Sequence, residues 1–155
     1  MIKIRPAKIK EAREIAKLNV ELMKHHLQYD ELYKIKKNAA DISEKWYKKS
    51  PRSSRSLLLV AEIDKKIVGY ISANIRKRPP IYLVEEWGGI NGIYVQFEYR
   101  HMGIGKMFIE AAFNWFKKKE VKYIDLDVDT NNEVAKMLWK KYKFKEYWKK
   151  MYRKI

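Results

Sequence analysis

The run Arg100-His101-Met102-Gly103-Ile104-Gly105-Lys106 sets two glycines, one residue apart, between basic side chains. A strongly periodic helical stretch follows it. Glycine allows close backbone approaches that a Cβ forbids. The first N–H groups of a helix have no intrahelical acceptor, and the dipole is positive at that end. Such a turn can cradle a pyrophosphate, with Arg100 and Lys106 adding positive charge. Gly105-Lys106 is followed by Met107 rather than Ser or Thr, so the P-loop pattern is not met. Gly103-Ile104-Gly105 is not continued as a dinucleotide fingerprint either. Two glycines also serve a plain tight turn, and the spacing alone leaves both uses open.

The flanking segments must position this turn. Upstream, residues 83–95 read as an extended stretch broken by Gly88-Gly89 and Gly92, which predicts a bulged strand. Downstream, Ile104, Met107, Phe108, Ala111, Ala112, Trp115 and Phe116 form one apolar stripe at helical period. Tyr123–Asp129 reads as a strand with Ile124, Leu126 and Val128 on its inward face, and Asn132–Tyr142 as a helix. Phe144–Met151 reads as a closing strand. Nearer the N-terminus, Ile2–Arg5 reads as a strand ended by Pro6, 9–28 as a helix, and Asp41–Lys49 as a second helix with Asp41 at its N-cap. Leu57–Ile63 and Ile67–Ile75 read as two strands joined by a tight turn at Asp64-Lys65-Lys66. No internal repeat or second-domain boundary is visible. The order predicts a mixed sheet flanked by helices.

At these residues the sequence resembles the GNAT acetyltransferases (GCN5-related N-acetyltransferases). Their central motif, Gln/Arg-x-x-Gly-x-Gly/Ala, is matched by Arg100-His101-Met102-Gly103-Ile104-Gly105, preceded by Ile93-Tyr94-Val95 and Tyr99. Their downstream pattern, Asn-x-x-Ala-x-x-aliphatic-Tyr, then Lys, then Gly-Phe, is similar to Asn132–Phe144, with Trp139 in place of the tyrosine. The resemblance implies one α/β (α+β) domain over 1–155. It implies a mostly antiparallel sheet of six to seven strands with splayed central strands, flanked by about four helices. It implies acetyl-CoA as cosubstrate and an N-acetyltransferase moving acetyl to a primary amine by direct attack. Backbone groups of Ile93, Tyr94 and Val95 would hold the pantetheine arm. Those of Arg100, His101, Met102, Gly103, Ile104, Gly105 and Lys106 would hold the pyrophosphate, and Asn132 and Trp139 would complete the cofactor side.

Direct attack needs a neutral amine, and a lysine-like amine of pKa ~10.4 is mostly protonated at pH 7. A base, or a water held by one, is needed. Some family members carry a glutamate on the central strand, where this chain has Gly89 and Asn91. Glu85 and Glu86 are the nearby carboxylates, and they are equally placed to answer Arg76 and Arg78 as surface charges. Tyr142, one turn beyond Trp139, is the candidate acid, with core packing as its other reading. His25-His26 has no second ligand pair, so no metal is expected. Tyr29, Tyr33, Trp46 and Tyr47 line an acceptor pocket or a core, and the sequence does not separate the two.

The whole chain narrows the classes further. Its 155 residues contain no cysteine, which excludes thiolate chemistry and disulfides and points to the cytoplasm. No apolar run reaches the ~18 residues of a membrane span, so no membrane partner is expected. The net charge of +16 is uneven. Residues 1–56 hold 15 basic and 7 acidic residues, 117–155 hold 13 and 6, and 57–116 hold 7 and 6. This fits a polyanion-binding surface or a lysine-coated, heat-tolerant one. It would repel a polyamine acceptor and favour a neutral or acidic one. A CoA-binding sensor and a basic nucleic-acid module remain as alternatives; the second lacks a nucleic-acid motif. A homodimer is compatible with the sequence.

Overall fold

The computed structural model describes residues 1–155. Its element order is β1 (Lys3–Pro6), α1 (Ala12–His26), α2 (Ala39–Lys49), β2 (Ser56–Ile63), β3 (Lys66–Lys77), β4 (Glu86–Val95), α3 (Ile104–Lys118), β5 (Ile124–Asp125) and α4 (Glu133–Lys141). The strands form one five-stranded sheet in chain order. β1 to β4 are antiparallel, and β5 joins β4 in parallel. The hairpin between β2 and β3 turns on Asp64 and Lys65, both left-handed at φ 49° and 64°.

The sheet buries both faces. On one, Leu59, Val68, Ile71 and Ile90 pack with Phe108 and Phe116 of α3 and with Trp139 of α4. On the other, Leu58, Val60 and Tyr70 pack with Ile15 and Ala16 of α1 and Tyr47 of α2. Continuous apolar strands such as Leu57–Ala61 follow from this two-sided burial. α3 crosses β4 closely at Gly88, where a Cβ would lie 2.4 Å from the Phe116 ring. Only a glycine lets the ring sit there.

The sheet has five strands rather than the expected six to seven. Phe144–Met151 forms no strand. Lys143 takes a left-handed φ of 65°, and the Phe144 N–H closes α4 on the Trp139 carbonyl at 3.0 Å. The Phe144 ring then packs on Trp139 and Phe113. Beyond it, side chains fix the segment: Tyr147 donates to Asp125 at 3.4 Å and Tyr152 to Asp30 at 3.2 Å. β5 is also shorter than the expected Tyr123–Asp129, because β4 turns away from it after two residue pairs. Asp41 is not the N-cap of α2. Asn38 holds that position, and Asp41 pairs with Arg13 of α1. No helix is long and apolar enough to cross a membrane.

Candidate functional site

β4 carries the bend that opens the site. Ser72 pairs with Gly92 and Ala73 with Ile90, so Asn91 is the extra residue of a bulge. A bulge bends its strand and increases the local twist. β4 meets β5 only at Gly88–Ile124 and Gly89–Asp125. From Ile90 to Val95 its β5-side edge is unpaired, leaving a notch between the two chain segments. Ile93 and Val95 pack on the α3 side and Tyr94 on the α1 side.

The glycine turn lies at the end of that notch. After Val95 a 3-10 turn spans Phe97–Tyr99, His101 adopts φ 64°, and Gly103 caps α3 at φ 82°. The first helical bond is the Met107 N–H to the Gly103 carbonyl, at 3.1 Å. None of the N–H groups from His101 through Lys106 finds an acceptor in the chain. A Cβ on Gly103 or Gly105 would meet nothing within 4 Å, so this row of donors faces open space. Ile104 is 1% exposed and anchors the turn into the core. Arg100 braces it, donating from Nε to the Val95 carbonyl at 3.1 Å with its guanidinium beside the Tyr94 and Phe97 rings. Lys106 is exposed, 3.8 Å from Glu110. Such a donor row at a helix N-terminus fits a pyrophosphate.

The family model described as the acetyltransferase (GNAT) family matches residues 20–144. The chain belongs to the GNAT family. Solved structures share its fold. A tetramutant of the BH1408 protein of Bacillus halodurans superposes with a TM-score of 0.84 at 22% identity, over 99% of each chain. A predicted acetyltransferase with acetyl-CoA from Clostridium acetobutylicum gives 0.81 at 16% identity, over 98% of this chain and 96% of that one. The aminoglycoside N-acetyltransferase AAC(6')-Iy, in complex with CoA, gives 0.77 at 17%, over 100% and 95%. No curated protein matches the sequence.

In this GNAT chain the remaining expected site residues separate. The Asn132 side chain caps α4, accepting the Ala135 N–H at 3.0 Å. Trp139 is 7% exposed and packs between Tyr142 and Phe144. The Tyr142 ring stands edge-on to Phe113 of α3, inside the helix-side core. Glu86 is held by Arg55 at 2.7 Å. Its neighbour Trp87 pairs with Arg76 in the sheet, so alternation turns Glu86 to the α3 face, away from Asn91. Glu85 is exposed beyond the end of β4, its carbonyl bonded to the Arg78 N–H at 2.8 Å. These groups do not converge on the notch.

Other groups do converge on the α1 side, and the sequence reading missed them. Ile124, Leu126 and Val128 pack on the α3 face, which leaves Asp125, Asp127 and Asp129 on the opposite one. Arg76 and Tyr147 engage Asp125. Asp129 accepts the Asn131 N–H at 2.8 Å. Asp127 has no ion pair or hydrogen bond and lies near Tyr33, whose phenol burial pushes up with help from Asp129. The alternation Ile-Asp-Leu-Asp-Val-Asp was the available signal. His26 lies in the same region, its imidazole held below its ordinary value by burial and by His25, against the pull of Asp129. Beside Asn91, a network runs from Ser43, whose hydroxyl donates to Asn19 Oδ1 at 3.1 Å, to Tyr70, which accepts from Asn19 Nδ2 at 2.9 Å. Tyr47 is buried against Tyr70, and burial pushes both phenols up, so both stay neutral. Tyr47 is therefore both core and pocket wall, while Trp46 is half exposed at the rim.

Proposed function

We propose that the chain, acting as one domain over 1–155, is an N-acetyltransferase that moves acetyl from acetyl-CoA to a primary amine by direct attack. The row of partnerless N–H groups from His101 to Lys106 at the end of the notch carries this reading. Those groups would hold the pyrophosphate. The free edge of β4 at Ile93–Val95 would hold the pantetheine arm as an added strand. The Asn132 amide nitrogen, left free by its capping bond, would donate from α4. Bound there, acetyl-CoA supplies the acetyl group as a thioester. A backbone N–H of the bulged β4 segment would stabilise charge on the carbonyl oxygen.

The amine must lose a proton, and Asp127 is the carboxylate of the notch without a partner in the chain. It takes the base role, directly or through a water, ahead of Glu85 and of Glu86, which Arg55 engages. A thiol of pKa ~8.5 leaves readily as thiolate, so no acid is required of Tyr142 or Trp139. Calorimetry with acetyl-CoA, followed by thiol release with a panel of amines, tests the reading. Binding without amine-dependent release would instead show a CoA sensor, and absence of binding would remove the proposal.

A further inference from the structure

Asn91, the bulge residue two positions beyond the last β4–β5 pair, also lines a cavity of ≈ 310 Å³. Its polar walls are Asn19, Ser43, Tyr47 and Ser72, none of which is charged. Asn19 is fixed by its bonds to Ser43 and Tyr70, while the Asn91 carboxamide has no partner in the chain. A second cavity of ≈ 210 Å³ shares Asn19, Ile42 and Ser43 with the first and runs between α1 and α2. There the walls turn apolar, with Val20, Met23 and Ile35. The one charged residue on either wall is Lys36, a cation. None of the β5 carboxylates lines either space.

Resting on the acetyltransferase reading above, we infer that the acceptor is an α-amino amide with an apolar side chain. Its amine would sit at Asn91 beside the notch. Its carbonyl and amide groups would take the neutral donors and acceptors of the first cavity. Its side chain would fill the space between α1 and α2. A second ammonium would meet no counter-charge on these walls, and Lys36 would repel it. A free amide and the amino terminus of a peptide present this same chemistry.

The experiment measures kcat/KM by thiol release from acetyl-CoA with leucinamide, a leucine-first tripeptide, glycinamide, isoamylamine and spermidine. Leucinamide or the tripeptide should exceed glycinamide, isoamylamine and spermidine by at least ~10-fold, the scale of a filled apolar pocket. The larger of the first two identifies a free amide or a peptide terminus as the source. In Met23→Trp, which fills the apolar cavity, the leucinamide-to-glycinamide ratio should collapse through KM, with calorimetry confirming that acetyl-CoA still binds. A highest kcat/KM for spermidine or isoamylamine overturns the inference alone. So does an unchanged ratio in a Met23→Trp protein that binds acetyl-CoA. Failure of every amine in a protein that binds acetyl-CoA overturns the acetyltransferase reading as well.

Discussion

At the scale of single residues, the glycine turn gives the cleanest test, because its proposed binding role can be separated from folding. Gly105 has open space where a side chain would go. Gly105→Glu should therefore fold normally and lose acetyl-CoA binding, since bulk and negative charge would occupy the donor row. Unchanged affinity by calorimetry in a folded variant would rule out that site. Trp139 behaves in the opposite way. It is a core residue, so Trp139→Ala should destabilise by about 3–5 kcal/mol, whereas Trp139→Phe should keep most of the turnover. A large fall in kcat for Trp139→Phe, with stability and acetyl-CoA affinity intact, would give the indole a chemical role. For Asp127→Asn, kcat should fall by ~10²-fold or more, the scale of a lost general base, at unchanged acetyl-CoA affinity.

At the scale of elements, two contacts decide how the sheet is assembled. Gly88 sits under the Phe116 ring, so Gly88→Ala should cost about 1–3 kcal/mol through overpacking, read as a lower denaturant midpoint. The other contact joins β1, β2 and the turn into α1. Arg5 donates to Glu11 at 2.8 Å and to Glu62 at 2.5 Å. The Arg5 hydrogen bond, aided by the Lys8 N–H against the opposing cost of burial, lowers the Glu11 pKa. A carboxylate with a depressed folded pKa stabilises the fold above its unfolded pKa, and that contribution is lost as pH falls through the folded value. The thermal midpoint should therefore fall on acidification below about pH 4.5, the ordinary glutamate value. Glu11→Gln should be less stable at pH 7 by about 1.5–3 kcal/mol and lose less between ~pH 5 and 3. Parallel acid profiles for the two proteins would show that Glu11 carries no such linkage.

At the scale of the whole molecule, the charge of +16 acts on every anion approaching the turn. Acetyl-CoA affinity should weaken as salt shortens the Debye length from ~8 Å towards ~3 Å. A flat salt profile would confine the effect to local hydrogen bonds. The turn, α3 and the two-sided strands β2 and β3 were legible in the sequence because each is specified locally, by glycine placement, by a 3.6-residue stripe or by a short apolar run between turns. The family followed from the same local signals. The missing closing strand, the two-residue β5 and the N-cap of α2 were not legible, since strand pairing and capping depend on what lies opposite. The candidate catalytic groups divide along the same line. Sequence proximity suggested Glu85 and Glu86, but alternation and Arg55 turn Glu86 to the far face. Asp127, and Asn19 with Ser43 and Tyr70, become candidates only once the fold brings Asp127 near Tyr33 and joins α1, α2 and β3 through Asn19. Thus the sequence by itself determined the donor turn, because a short segment makes all of its own geometry. The tertiary structure alone formed the two cavities proposed for the acceptor, because their walls come from segments far apart in the chain.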